Sequence, residues 1–322
     1  MEYRRLGSTS LKVSRLWLGG MSFGERAMRE WVIEEADTRR VLEHAVERGI
    51  NVIDTCDAYC EGVSEQLIGR FVKERGLRDR LVIATKMGWS TNKDAGVNQI
   101  GFSRKYIIEA CERSLRNLNT DYIDLYQTHI WNPQTNIEEL VSAFDRLVQD
   151  GKVRYVGATD MPAWQFAKAL YGARSTGREA FASMQHHYNA IWREDERELM
   201  PLCRAENVAL VPYSPLGRGF LAGARDTVRA KTDDRIPRWY SRDADARVAE
   251  EIAASAQRLG VPPYAVALGW VLGTPGVVST VVGIREPAQL DGLIDCLGFE
   301  LPDDERVAID RHYACRRPQA SH

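Results

Sequence analysis

Nowhere in the 322 residues does an apolar run approach the roughly 20 residues that span a bilayer as a helix. The opening Met1-Glu2-Tyr3-Arg4-Arg5 has none of the apolar core of a signal peptide. Neither sign of charge is in excess: 43 Lys and Arg stand against 45 Asp and Glu, a net charge of −2. That balance removes any general electrostatic pull toward nucleic acid or an acidic membrane surface. The six cysteines (Cys56, Cys60, Cys111, Cys203, Cys296 and Cys315) are scattered and form no CxxC pair. A chain this long needs no disulfide staples, so they read as reduced thiols of a cytoplasmic protein. No metal-ligand spacing occurs, since His186 and His187 are adjacent rather than four apart, and no metal site is expected. Low-complexity segments and Pro/Gly/Ser linkers are also missing, so residues 1–322 read as one domain. The oligomeric state is left open.

A composition of 44% hydrophobic and 27% charged residues supports a large core and argues against disorder. Short β-branched runs alternate with polar turns and amphipathic stretches. Strands are expected at Arg15–Gly19, Asn51–Thr55, Leu81–Lys86, Tyr122–His129, Val153–Thr159, Ala182–Tyr188, Ala209–Tyr213 and Thr280–Ile284. Helices are expected at Ser64–Arg75, with Ser64 as N-cap and Gly76 as stop, and near Ser103–Leu118, Ile137–Gln149 and Ala163–Arg174. Eight such units without a linker favour a closed (β/α)8 TIM barrel over an open doubly wound sheet. The segment Tyr3–Trp17 reads as a β-hairpin that closes the barrel floor. Two long stretches, Gly88–Gly101 and Gly217–Asp243, are expected at the active-site mouth.

Asp54, Lys86 and His129 close three of these strands, and Tyr59 follows Asp54 by five residues. In such a barrel the C-terminal strand ends build the active site. Buried lysine and aspartate need partners, and neighbouring strands let them pair. Asn-Val-Ile-Asp-Thr-Cys-Asp-Ala-Tyr at 51–59, with Gly62-Val63-Ser64-Glu65, resembles the signature of the aldo/keto reductase family. Ala-Thr-Lys at 84–86, Tyr-Gln-Thr-His at 126–129, Gly-Lys-Val-Arg-Tyr-Val-Gly at 151–157, Val-Pro-Tyr-Ser-Pro-Leu-Gly-Arg-Gly at 211–219 and Val-Val-Gly-Ile-Arg at 281–285 extend the resemblance over almost the whole chain. It looks nearest to the bacterial branch related to potassium-channel β subunits.

The resemblance implies an NAD(P)H-dependent oxidoreductase that reduces aldehydes or ketones to alcohols. In it Tyr59 is the general acid, Lys86 tunes it, Asp54 holds Lys86, and His129 orients the carbonyl. An ordinary tyrosine has a pKa near ~10, and a neighbouring ammonium is expected to make it a better acid. Cofactor contacts implied by the resemblance are Gly20, Met21, Asp54, Thr159, Asp160, Gln185, Tyr213, Ser214, Leu216, Arg218, Gly283, Arg285, Glu286 and Gln289. Tyr213 stacks on the nicotinamide, and Ser214, Leu216 and Arg218 wrap the pyrophosphate. Three positions depart from the family pattern. Asp160 replaces an asparagine and can accept but not donate. Glu286 would repel the 2′-phosphate that Arg285 can hold, or accept from a 2′-hydroxyl. Leu293 stands where many relatives have asparagine. NADPH is the expected cofactor, with Glu286 leaving room for NADH.

For the substrate pocket the candidates are Phe23, Trp31, Trp89, Trp131 and Tyr240, with Trp192 and Trp239 beside them. An aromatic mouth favours small carbonyl substrates with apolar or aromatic bodies. Arg193, Arg235 and Arg238 are candidates for recruiting an anion, and Cys56 and Cys60 read as packing thiols. The alternatives are a reductase of a nucleotide-linked deoxysugar, and a cofactor-sensing regulatory protein like a β subunit. The intact tetrad weighs against the second.

Overall fold

A computed structural model describes residues 1–90, 94–224 and 226–316. Two short strands, β1 (Tyr3–Arg5) and β2 (Lys12–Ser14), pair antiparallel as a separate hairpin. Eight strands follow: β3 (Leu16–Gly19), β4 (Val52–Asp54), β5 (Val82–Met87), β6 (Ile123–Thr128), β7 (Val153–Thr159), β8 (Phe181–His187), β9 (Ala209–Tyr213) and β10 (Thr280–Gly283). They run parallel in chain order and close into a barrel where β10 pairs with β3. The chain therefore has the (β/α)8 architecture that its strand-helix alternation implies.

Helices α1 (Glu35–Glu47), α2 (Val63–Glu74), α3 (Arg104–Leu118), α4 (Ile137–Gln149), α5 (Ala163–Ser175) and α6 (Leu199–Ala205) cover the first strands. Beyond β9 come α7 (Val228–Thr232), α8 (Arg235–Trp239), α9 (Asp243–Leu259) and α10 (Pro263–Leu272); α11 (Pro287–Asp295) and α12 (Asp303–Asp310) follow β10. The physics of one helix serves for the rest. In α4, Ile137, Leu140, Val141, Phe144 and Leu147 recur at helical spacing and are buried against the barrel. The Asn136 side chain caps its start by accepting from the Glu139 amide, and Gly151, at φ +73°, takes the chain out of the helix.

The hairpin reaches the barrel floor through Leu6 and Val13, which join Trp17, Val52, Val82, Leu125, Ala209 and Val281 in the interior cluster. Gly7 lies so close to Ala182 and Asn207 that a β-carbon would meet their carbonyl oxygens at 2.7 Å. The hairpin ends at Ser14, short of the expected Trp17, which belongs to β3 within the strand expected at Arg15–Gly19.

Ser64 does not cap α2. The helix begins at Val63 after Gly62, and the Ser64 hydroxyl faces the barrel, donating to the Gly20 carbonyl at 2.8 Å beside Thr55. Gly217–Asp243 is not an irregular loop: it holds a 3-10 turn at Gly217–Ala222 and helices α7 and α8. Residue 225, within it, and residues 91–93 of the Gly88–Gly101 stretch lie outside the described residues. Among the described residues no helix is long and apolar enough to cross a membrane, and no group of His, Cys, Asp or Glu is arranged to hold a metal ion.

Candidate active site

Side chains along a strand alternate between the inside and outside of a barrel, so position fixes which face a residue joins. Val52, Ala84 and Leu125 point inward as part of the apolar interior. Two residues on, the same faces of β4, β5 and β6 carry Asp54, Lys86 and Gln127, and β8 adds Gln185; all four are buried. Charge at this depth persists only when paired and hydrogen-bonded. Asp54 meets that demand. Its Oδ2 accepts from Lys86 Nζ at 2.5 Å, and its Oδ1 from Gln185 Nε2 at 2.9 Å and Gln127 Nε2 at 3.2 Å. Lys86 also donates to the Thr55 carbonyl at 3.0 Å. Burial alone would lower the Lys86 pKa; the Asp54 carboxylate overrides it and holds the ammonium charged.

Tyr59 lies on the turn after β4. The Lys86 ammonium is 5.3 Å from its ring centre, and the His129 ring meets it edge-on at 5.9 Å. Burial deep in the mouth pushes the phenol up to about 12, and Lys86 offsets only part of that rise. Lys86 lowers the phenol's pKa, as the sequence implies, but burial in the resting site outweighs it. Tyr59 is a firmly protonated phenol.

His129 follows β6, its amide donating to the Met87 carbonyl at 2.7 Å. Burial, then Lys86 and Arg235, depress its pKa well below the usual histidine range, so the imidazole is neutral. Its Nδ1 lies 3.1 Å from Cys56 Sγ. Cys56 therefore touches the site rather than merely filling space. Cys60 does serve packing: it sits against Trp31 and Val32 behind the Tyr59 turn.

These groups face a cavity of about 560 Å³. Asp54, Tyr59 and His129 line it, with Trp89 against His129 and Trp239 also on the wall, whereas Lys86 is buried behind Asp54. It then runs past Met21, Thr159, Asp160, Gln185 and Tyr213, along Ser214, Leu216 and Arg218, to Gly283, Arg285, Gln289 and Leu293. Gly20 is buried under Ser64 beside this surface without lining it. Glu286 is exposed ahead of α11 and also does not line it, while Gln289 accepts from the Arg285 amide at 3.0 Å.

Asp160 is committed within the protein. One carboxylate oxygen accepts from the Tyr213 hydroxyl at 2.9 Å and the other from the His187 amide at 3.1 Å. Desolvation against the cavity wall, then the nearby Asp195, raises its pKa to about 6. Tyr213 in turn lies flat on His187, with ring centres 5.1 Å apart and planes 7° from parallel, and Trp192 stacks on the far side at 4.5 Å. The Asp160–Tyr213 bond and the His187 stack joined residues far apart in sequence, and no local signal announced them. Gln127 had a signal, its inward register two residues after Leu125, that became readable only with the barrel closed.

Of the five aromatic residues assigned to the substrate pocket, only Trp89 lines the cavity. Phe23 is fully buried. Trp31 is turned away against Cys60, with the Arg229 guanidinium 4.6 Å from its ring centre. Trp131 is stacked on Phe102 and donates to Gln165 at 2.6 Å. Tyr240 bonds to His187 at 2.7 Å behind the Tyr213 stack. Each found partners in the shell that supports the mouth. Arg193 likewise pairs with Glu196 and Asp310, away from the cavity.

The cavity suits a nicotinamide dinucleotide. The Thr159 hydroxyl and Arg218 Nε are buried with no hydrogen-bond partner among the described residues, although both residues line the cavity. Such orphaned groups call for a ligand to complete them. Among the described residues, six arginines (Arg29, Arg218, Arg229, Arg235, Arg238 and Arg285) and two aspartates line the cavity, a balance that attracts phosphate.

The model of the Aldo/keto reductase family matches residues 15–314. Versiconal hemiacetal acetate reductase of Aspergillus parasiticus is 34% identical, over 100% of this chain and 99% of its own. Aldo-keto reductase AMT2 of Alternaria alternata is 36% identical, over 98% and 93%. A putative aryl-alcohol dehydrogenase of Schizosaccharomyces pombe is 33% identical, over 97% and 95%. These relatives are fungal, and they lend no support to the finer placement in a bacterial branch.

Proposed function

The chain belongs to the aldo/keto reductase family, and from that premise we propose that it reduces aldehydes or ketones to alcohols with NADPH, using Tyr59 as the general acid. The observation that carries this reading is the convergence of Tyr59, charged Lys86, Asp54 and neutral His129 beside an unpartnered Thr159 hydroxyl on one cavity.

The nicotinamide, when bound, supplies hydride to the carbonyl carbon. Tyr59 delivers its proton to the carbonyl oxygen as negative charge gathers there. The Lys86 ammonium stabilises the phenolate left behind, and Asp54, itself held by Gln127 and Gln185, keeps Lys86 aimed. Neutral His129 donates to the same carbonyl oxygen and orients it. Thr159 and Gln185 would hold the carboxamide, Tyr213 the ring face, and Arg218 the pyrophosphate. Arg285 would meet a 2′-phosphate; because Glu286 does not line the cavity, its charge is no obstacle to NADPH.

A panel of carbonyl compounds with NADPH and NADH tests this, comparing wild type with Tyr59→Phe. The expected loss in kcat is about 100-fold or more, with cofactor dissociation constants unchanged. With the phenol held near 12, reduction keeps its proton donor through the alkaline range, so Tyr59 adds no falling limb below about pH 11. Alcohol oxidation needs the phenolate and rises with pH instead. Unchanged turnover in Tyr59→Phe removes that residue from the reaction, and tighter binding of NADH than NADPH overturns the cofactor assignment.

A further inference from the structure

Helix α8 places a cation at the aromatic end of the cavity. Arg235 and Trp239, both from α8, line it together with Tyr59, Trp89 and His129. The Arg235 guanidinium is half-buried, 5.6 Å from the centre of the Trp239 ring. Its charge reaches the reacting groups, opposing the rise of Tyr59 and adding to the depression of His129.

Of the other arginines that line the cavity among the described residues, Arg285 stands elsewhere on the wall and the rest have partners. Arg218 and Arg229 both reach Asp233 Oδ2, at 2.7 and 3.1 Å. Arg285 lies at the Gln289 end, and Arg29 leans on Trp31. Arg238 has Asp234 at 3.9 Å. Among the described residues no carboxylate forms an ion pair with Arg235: Asp233, whose Oδ1 accepts its backbone amide at 3.2 Å, spends the other oxygen on Arg218 and Arg229. A planar guanidinium beside the Trp239 indole, partly buried and without a carboxylate partner among the described residues, is a carboxylate receptor in both shape and charge.

Resting on the reductase reading above, we infer that the preferred substrates are aromatic aldehydes or ketones bearing an anionic group, with Arg235 recognising the anion while Trp89 and Trp239 flank the ring. Arg235 is thus a specificity-determining residue. The substrate body lies between the indoles, its carbonyl at Tyr59 and His129 and its carboxylate at α8.

The test compares 3- and 4-carboxybenzaldehyde with their methyl esters, which keep the aryl aldehyde and its substitution pattern but carry no charge and one methyl group more. Wild type is expected to show a kcat/KM at least about tenfold higher for one of the acids than for its ester. In Arg235→Met that ratio falls to about one, whatever happens to the absolute rates, and Arg235→Lys retains part of it. Quenching of tryptophan fluorescence by benzoate provides a readout independent of turnover: binding should weaken about tenfold in Arg235→Met. Wild type preferring both esters, or a ratio untouched by Arg235→Met, overturns the inference. Absence of turnover with all four aldehydes, with benzoate binding still dependent on Arg235, sinks the reductase reading instead and leaves the anion site standing.

Discussion

Cys56 and His129 form a pair whose chemistry turns on a single proton. Sγ lies 3.1 Å from Nδ1, while the other acceptor within the thiol's reach, Asp57 Oδ1, is 3.5 Å away. Burial pushes the Cys56 thiol well above its ordinary pKa, so it stays protonated and can donate. Donation along the shorter contact makes Nδ1 the acceptor and leaves the proton on Nε2, the nitrogen with no protein partner among the described residues. That tautomer is the one able to donate to a carbonyl oxygen. Cys56→Ala should therefore lower kcat about fivefold, the effect of losing one hydrogen bond of roughly 1 kcal/mol, with little change in KM. Cys56→Ser should recover most of the loss. Nitrogen chemical shifts of His129 check the mechanism directly: a wild-type protein with its proton on Nδ1 would defeat it. The same residue shows how far a sequence can be read. Asp54 and Lys86 are legible because a strand-end carboxylate and ammonium demand partners, and Tyr59 and His129 through the motifs that resemble the family's, whereas Cys56 reads as packing because its partner lies 73 residues away.

At the level of elements, the turn after β4 carries the backbone tension of the site. Cys60, Glu61 and Gly62 follow Tyr59 with φ of +48°, +53° and +92°. Three successive left-handed residues, two of them with side chains, are costly and must be held by their surroundings. The buried Cys60 thiol anchors the turn against Trp31 and Val32, and Gly24 makes room: a β-carbon there would lie 2.3 Å from Cys60 Sγ. Glu61 is exposed and contributes no such anchor. Glu61→Gly is expected to stabilise the protein by about 1 kcal/mol, seen as a higher urea midpoint at unchanged slope. A lower midpoint would mean the turn is not strained there. Cys60→Gly relieves the same φ but gives up buried contacts, so it should show no such gain. Helix α4 and strands β7 and β9 have the bounds their periodicity implies, since each shows a clean apolar pattern between strong turn signals. Helices α7 and α8 were read as loop because five residues with several charges show no helical period.

For the whole molecule, the decisive event is closure of the barrel between its first and last strands. Arg15, just before β3, is buried and donates to the carbonyls of Val277 at 2.9 Å, Val278 at 2.6 Å and Leu272 at 3.0 Å. Its own carbonyl accepts from the Thr280 amide at the start of β10. One side chain thus ties the seam to segments more than 250 residues away. Arg15→Met should cost about 3 kcal/mol by leaving those carbonyls unsatisfied, measured by urea unfolding. The folded fraction should keep its KM, because the seam lies at the floor and the cavity at the mouth. A loss under about 0.5 kcal/mol would show that the strand pairing closes the barrel without Arg15.

By itself the sequence determined the alternation of strands and helices, and with it the barrel. It also placed Asp54, Lys86 and His129 at strand ends, where a buried charge must find a partner, and the resemblance of its motifs to a known family added Tyr59 and the four roles. It could not decide which residues share the barrel interior, which aromatic rings face the cavity and which support it, or whether Tyr59 is made more or less acidic. Those follow from depth and from partners brought together across the closed sheet: Gln127 and Gln185 on Asp54, Asp160 on Tyr213, Cys56 on His129, and Arg235 on the cavity wall. Desolvation and contact are properties of three dimensions, and only the folded chain sets them.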